Sequence, residues 1–274
     1  MSDALRLAIG TLTRFPIAPP SRVDRRVARN AMLMAPLIGL ILGVLAAVLI
    51  FGVRQIAGPE FLEGASSTLV RRTTIVDLLA ATLAIGGLAW VTRALHLDGL
   101  ADTADGFGVR GDRETRIAAM KDPHIGAFGS ITVGFCVLIQ IIALAASIRV
   151  GHGSLAIIVA VTTGRLALTW SCVRGVPAAR ADGLGASVAG TVPRLGAAIA
   201  TIVLIGIAIA YGLLDDDATR RLAVVAGCSV VVGLGGVWWL RRSAIRAFGG
   251  ITGDTLGAGV EVATAIVLVV LIVA

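Results

Sequence analysis

Charge is scarce in this sequence: only 15% of its residues are Asp, Glu, Lys or Arg. A soluble domain carries about a quarter, so a soluble globular protein is excluded. Short alternating apolar–polar segments are missing, which excludes a transmembrane β-barrel. Cysteine is limited to Cys136, Cys172 and Cys228, each inside an apolar run and without paired spacing, which argues against disulfides and metal–thiolate sites. Lysine is almost absent. Lys121 is the only one, so the net charge of +7 rests on arginine. Such a basic balance elsewhere suggests nucleic acid; here it reads as basic loops anchoring a membrane protein, with no nucleic-acid partner. No small-residue cleavage site accompanies the arginine-rich start, so the first long apolar run is read as an uncleaved span. No internal repeat, low-complexity tract or separate soluble domain is visible, although a hidden inverted repeat of the transporter kind stays open.

What is abundant is apolar surface: 57% hydrophobic residues and a mean hydropathy of +0.92. Several runs reach about 18 apolar residues, the length that crosses a hydrocarbon core of roughly 30 Å. Backbone groups in lipid must be satisfied within the segment, so the spans are helices. The expected fold is an all-α, polytopic integral membrane helical bundle of about seven transmembrane helices. The spans lie at 31–53, 74–95, 125–148, 154–173, 195–214, 222–240 and 256–274. Residues 4–17 read as an interfacial helix ending at Pro16. The whole of 1–274 forms one membrane domain, with 1–30 as a cytoplasmic or interfacial segment and 96–124 as a cytoplasmic active-site loop.

Arginine and lysine orient this arrangement. Segments on the N-terminal side of the membrane hold seventeen of the 24, those on the other side six (Arg54, Arg71, Arg72, Arg149, Arg220, Arg221), and Arg165 lies within a span. The positive-inside rule then places the N-terminus in the cytoplasm and the protein in the cytoplasmic (inner) membrane. The acidic turn "LLDDDATRR" falls on the outer side.

Against this background the stretch "HLDGLADTADG" stands out. Asp98, Asp102 and Asp105 occur at i, i+4 and i+7, one face of a helix. Three like charges on one face repel unless a cation sits among them. Grouped carboxylates suit Mg²⁺, which takes one or two of them with waters and substrate phosphates. A solvated helix end and a proton or sodium relay are the alternatives. A second cluster is "FGGITGDTLGAGVE". Gly249, Gly250 and Gly253 open a helix start whose N–H groups suit phosphate, and Asp254 and Glu261 share a face. The alternative is a glycine-rich turn with Asp254 as N-cap. Arg93, Lys121, His124, Arg165, Arg174 and Arg246 are basic candidates for phosphate oxygens near the same side. Arg165, mid-span, needs a cavity or an ion pair with Asp77 or Glu261. His96 and His124 are ambiguous, and His124 also reads as a polar loop residue. "DGLGASVAG", from Asp182 to Gly190, is a glycine-rich loop that either lines a large substrate or only turns the chain.

In this order, "HLDGLADTADG", "MKDPHIGAFG" and "GGITGDTLGAGVE" resemble the cobalamin synthase family, adenosylcobinamide-GDP ribazoletransferases of the membrane. "TRFPI", "APLIGL", "GR" at Gly164–Arg165 and "DGLG" match too, so the resemblance covers nearly the whole chain. One departure is His124, where the family's "KD-x-R-x-G" stretch has arginine. The resemblance implies a reaction between adenosylcobinamide-GDP and α-ribazole or its 5′-phosphate. A ribose hydroxyl attacks the phosphorus on the cobinamide arm and GMP leaves, with Mg²⁺ as cofactor. Placed on this chain, it implies that Asp98, Asp102, Asp105 and Asp254, with Glu261, hold Mg²⁺ or take the hydroxyl proton, and that Arg93, Arg165 and Lys121 hold phosphate oxygens. The partners are these substrates and the bilayer; the oligomeric state, a homo-oligomer included, stays open. A CDP-alcohol phosphotransferase is the nearest enzyme rival, but Ala101 is followed by Asp102 where that pattern wants arginine. Aspartate-rich prenyltransferases have no place for "GGITGDTLGA", and an ion-coupled transporter would set its carboxylates at mid-membrane.

Overall fold

The computed structural model describes residues 1–57, 68–213 and 220–274, without the side chains of 68–73. Two sequence readings therefore lie outside the described residues: the side chains of Arg71 and Arg72, and 214–219 of the acidic turn. Of the described residues 79% are helical. Among the described residues there is no strand, only isolated bridges between Val173 and Val192 and between Ala178 and Ile251.

The helices run α1 Asp3–Leu12, α2 Arg25–Ala57, α3 Thr68–Val91, α4 Leu95–Gly108, α5 Arg113–Ala119, α6 Ala127–Arg149, α7 Gly153–Ser171, α8 Gly183–Val188, α9 Arg194–Leu213, α10 Arg220–Phe248 and α11 Gly253–Leu271. Seven of them (α2, α3, α6, α7, α9, α10 and α11) are long and apolar enough to cross a membrane, one for each expected span. Large apolar side chains such as Phe51, Phe135, Ile202 and Val231 stand exposed on these helices, as a lipid-facing surface requires.

Three boundaries differ from expectation for local reasons. The first helix ends at Leu12, not Pro16, because Pro16 disfavours helical backbone in the residue before it and Thr13 is already extended. The second span stops at Val91, because Arg93 and Ala94 take left-handed conformations with φ of 57° and 53°. Residues 96–124 are not a loop, since α4 and α5 occupy most of them.

Helix α7 is the axis of the bundle. Of its most apolar stretch 83% is buried, against 22% for α9, so the span containing Arg165 faces protein rather than lipid. Gly39 and Gly43 bring α2 so close that a Cβ at either would lie 2.9 Å from α7 backbone. On its other side α7 packs on α11, and α11 packs on α4. Consecutive spans alternate in direction. The starts of α2, α6, α9 and α11, the ends of α3, α7 and α10, and the short helices α4, α5 and α8 therefore share one face of the bundle.

Candidate active site

The site is built where α4 meets α11 on that face. Gly99 makes the meeting possible: a Cβ there would lie 2.7 Å from the Asp254 carbonyl oxygen and 2.9 Å from its Cα. One turn further along, Gly257 packs on the His96 backbone, its added Cβ 3.1 Å from the His96 Cα. This close crossing brings Asp254 into the field of Asp98 and Asp102. Burial, and then the charges of Asp98, Asp254 and Asp105, push the Asp102 carboxyl up to about 6. Mutual repulsion of this kind is what a bound cation relieves. Among the described residues no three His, Cys, Asp or Glu side chains are close enough to hold a metal alone. A cation held there would need water and substrate phosphate to complete its shell, as Mg²⁺ takes them.

Asp105 has a different post. Its Oδ2 accepts from the Gly126 N–H and its Oδ1 from the Gly129 N–H, both at 2.8 Å. Gly126 is the N-cap of α6 and has no side chain to cap with, so Asp105 of α4 does it through space. Any Cβ at Gly126 or Gly129 would collide with this carboxylate, at 2.3 and 2.4 Å respectively. "IGAFG" is thus the receptor of the third aspartate.

Glu261 is also separated from the cluster. It lies on α11's face with Asp254 but about 10 Å along the axis at 1.5 Å per residue. Its Oε2 accepts from Gln140 Nε2 at 2.8 Å. It lines an internal cavity of about 20 Å³ with Gln140, Thr92, Thr264 and Arg165, room for one water. Arg165 is buried there, its Nε without a hydrogen-bond partner among the described residues, and Glu261 is the opposite charge acting on it. Asp77 is engaged elsewhere, by Arg54 at 3.5 Å and Arg149 at 4.0 Å. His96 is buried between the two sites. Burial, then the Arg165 charge, hold it well below its usual range, so it is neutral.

The glycine-rich cluster is mainly a packing device. A Cβ at Gly249, whose φ is +76°, would lie 2.6 Å from the Arg113 guanidinium carbon, and one at Gly250 would lie 2.4 Å from the Ala178 carbonyl carbon. The N–H groups of Gly249, Ile251 and Thr252 already donate, to Ile245, Pro177 and the Thr255 hydroxyl. Only the Gly253 end is left with room, 3.7 Å from Leu184. The N-cap of α11 is Thr252, in a capping box with Thr255, and Asp254 is thereby left for other work.

The basic candidates divide. Arg93 turns away to donate to the Gly10 carbonyl at 3.0 Å, anchoring α1. Lys121 and His124 are exposed. His124 receives Asp122, its N–H donating at 2.9 Å and its Nδ1 lying 3.1 Å from the same oxygen. It borders a hollow of about 620 Å³ together with Asp105 and Asp122. Arg246 and Arg116 border another, of about 450 Å³. Arg180, which sequence reasoning left as a counted charge, acts on Asp254 and stands 3.6 Å from Asp182. Its signal was its place directly before "ADGLG". Gln140 was also missed, although an amide inside an apolar span is itself a sign of a buried polar partner.

Comparison with known proteins gives the chain a family. Residues 4–272 match the family described as cobalamin-5-phosphate synthase. A relative from Frankia casuarinae is 43% identical over 270 residues, covering 97% of this chain and 93% of its own length. One from Nocardioides sp. is 39% identical, over 98% of this chain and 97% of its own. One from Pseudomonas aeruginosa is 34% identical over 99% of both. All three are named adenosylcobinamide-GDP ribazoletransferase. No solved structure matches. A polytopic chain matched from residue 4 to residue 272, with relatives this similar over their full length, belongs to the cobalamin-5-phosphate synthase family.

Proposed function

We propose that this chain transfers ribazole, free or as its 5′-phosphate, to adenosylcobinamide-GDP, giving the joined cobalamin and GMP. The names of its relatives specify the transfer. The carrying observation is the contact between α4 and α11, which gathers Asp98, Asp102 and Asp254 at one end of the bundle through the side-chain-free surface of Gly99. A ribose hydroxyl of ribazole attacks the phosphorus on the cobinamide arm. A new P–O bond forms, the P–O bond to GMP breaks, and the hydroxyl proton passes to a carboxylate. Asp102, with Asp98 or Asp254, would hold Mg²⁺, which when bound would neutralise charge building on the leaving phosphate. Asp105 has both oxygens committed to α6 and serves as the anchor of α4. Arg180, beside Asp254, is placed to meet phosphate oxygens. The concentration of arginine on this face supports a site on the cytoplasmic side of the inner membrane.

The test is ³¹P NMR on purified protein with Mg²⁺, adenosylcobinamide-GDP and ribazole. Free GMP should appear only with both substrates present. Asp102→Asn should abolish GMP release while the protein still inserts in the membrane, and near-normal turnover by that variant sinks the assignment.

A further inference from the structure

A second charged feature lies on the same face, outside the carboxylate site. Arg25, Arg26 and Arg29 stand on the first turns of α2, and Arg174 follows α7. With Gly190 and Thr191 they surround a concavity of about 500 Å³, the size of a small-molecule site. Arg25 donates to the Ala189 carbonyl at 3.4 Å, beside Gly190 of the rim, and Arg29 to the Asn30 side chain at 3.2 Å. Among the described residues none of the four forms an ion pair. The neighbouring acid, Asp24, is taken: it accepts from the Val27 N–H at 2.8 Å as the cap of α2 and lies 3.5 Å from Arg22. The charge of Arg26 also bears on it.

Anchoring a membrane protein requires basic residues on this face, but it does not require them to ring one hollow. Four guanidiniums around one hollow repel one another, and an anion among them lowers that cost. Their planar forks match phosphate oxygens, and the positive end of α2 adds to the attraction. The hollow is distinct from the aspartate cluster. The segment 172–193 separates them, Gly185 packing on Ile251 and Thr252 at the start of α11 while Gly190 faces Val176 and Arg25.

We propose that this arginine basin is a phosphate-binding site. The phosphate is either that of a phosphorylated acceptor substrate or that of an anionic lipid headgroup at the membrane rim. The first source rests on the function proposed above; the site itself does not.

The experiment is titration calorimetry of inorganic phosphate into the full chain in neutral detergent. The variants are Arg29→Gln, Arg174→Gln and Arg174→Lys. The wild type should bind phosphate, with affinity falling as salt rises. Each glutamine variant should bind roughly tenfold more weakly, and Arg174→Lys should keep part of the affinity. Melting temperatures without phosphate report whether each variant is folded. Two further arms separate the sources. If the source is the substrate, KM for phosphorylated ribazole rises about tenfold in Arg174→Gln while KM for unphosphorylated ribazole does not move. If it is lipid, both KM values stay put and native mass spectrometry finds less phosphatidylglycerol retained from anionic nanodiscs. Absence of phosphate binding by the wild type, or equal binding by folded glutamine variants, overturns the proposal. Absence of GMP release by the wild type refutes the ribazole transfer reading alone, since the calorimetry does not depend on it.

Discussion

Gly99→Ala is the sharpest probe of the site, because the residue has no chemistry of its own. An added Cβ would lie 2.7 Å from the Asp254 carbonyl oxygen, whereas ordinary contact begins at 3.4 Å, so α4 and α11 must separate by about 0.7 Å. The contact is backbone on both sides and no flexible side chain can give way. Overpacking of this kind costs about 1–3 kcal/mol of stability. The catalytic cost should be larger, since a displacement near 1 Å between cooperating groups loses roughly a hundredfold in rate. The assay is GMP release by ³¹P NMR beside a melting curve in detergent. Gly257→Ala is the graded control. Its Cβ would lie 3.1 Å from the His96 Cα, asking for only about 0.3 Å, and its loss of rate should be several-fold. A Gly99→Ala protein that releases GMP at the wild-type rate, or a Gly257→Ala protein that is the worse of the two, refutes the view that the α4–α11 crossing sets the carboxylates.

Asp105→Ala strands the Gly126 and Gly129 N–H groups and should lower stability by about 1–3 kcal/mol, measured by thermal unfolding. Asp98→Asn, at an exposed position, should melt near the wild type; the reverse order would overturn the division of labour among the aspartates. Gln140→Leu leaves Glu261 without its 2.8 Å donor and should cost about 1–3 kcal/mol in the same assay. Adding Mg²⁺ should raise the melting temperature, and more so at pH 7.5 than at pH 5. Asp102 holds its proton up to about 6 in the folded protein against 3.8 normally, so its ionised form lowers stability as pH rises through that window, and a cation relieves this. A Mg²⁺ effect equal at both pH values, or the same in Asp102→Asn, counts against Asp102 as a ligand.

The sequence by itself determined the class of molecule and its helices. Hydropathy is a property of contiguous residues, and a helix in lipid satisfies its own backbone, so each span could be read without knowing its neighbours. The i, i+4, i+7 spacing of Asp98, Asp102 and Asp105 was legible for the same reason. What those aspartates meet was not. Tertiary structure sent Asp105 to the bare N-cap of α6, drew Asp254 to Asp98 and Asp102 across Gly99, and left Glu261 with Gln140 and Arg165 in a separate cavity. It turned Arg93 towards α1 and gathered Arg25, Arg26, Arg29 and Arg174, all four of them earlier read for orientation or proximity, around one hollow. Each of these outcomes depends on how closely two segments distant in sequence approach, and no local pattern of residues encodes that distance.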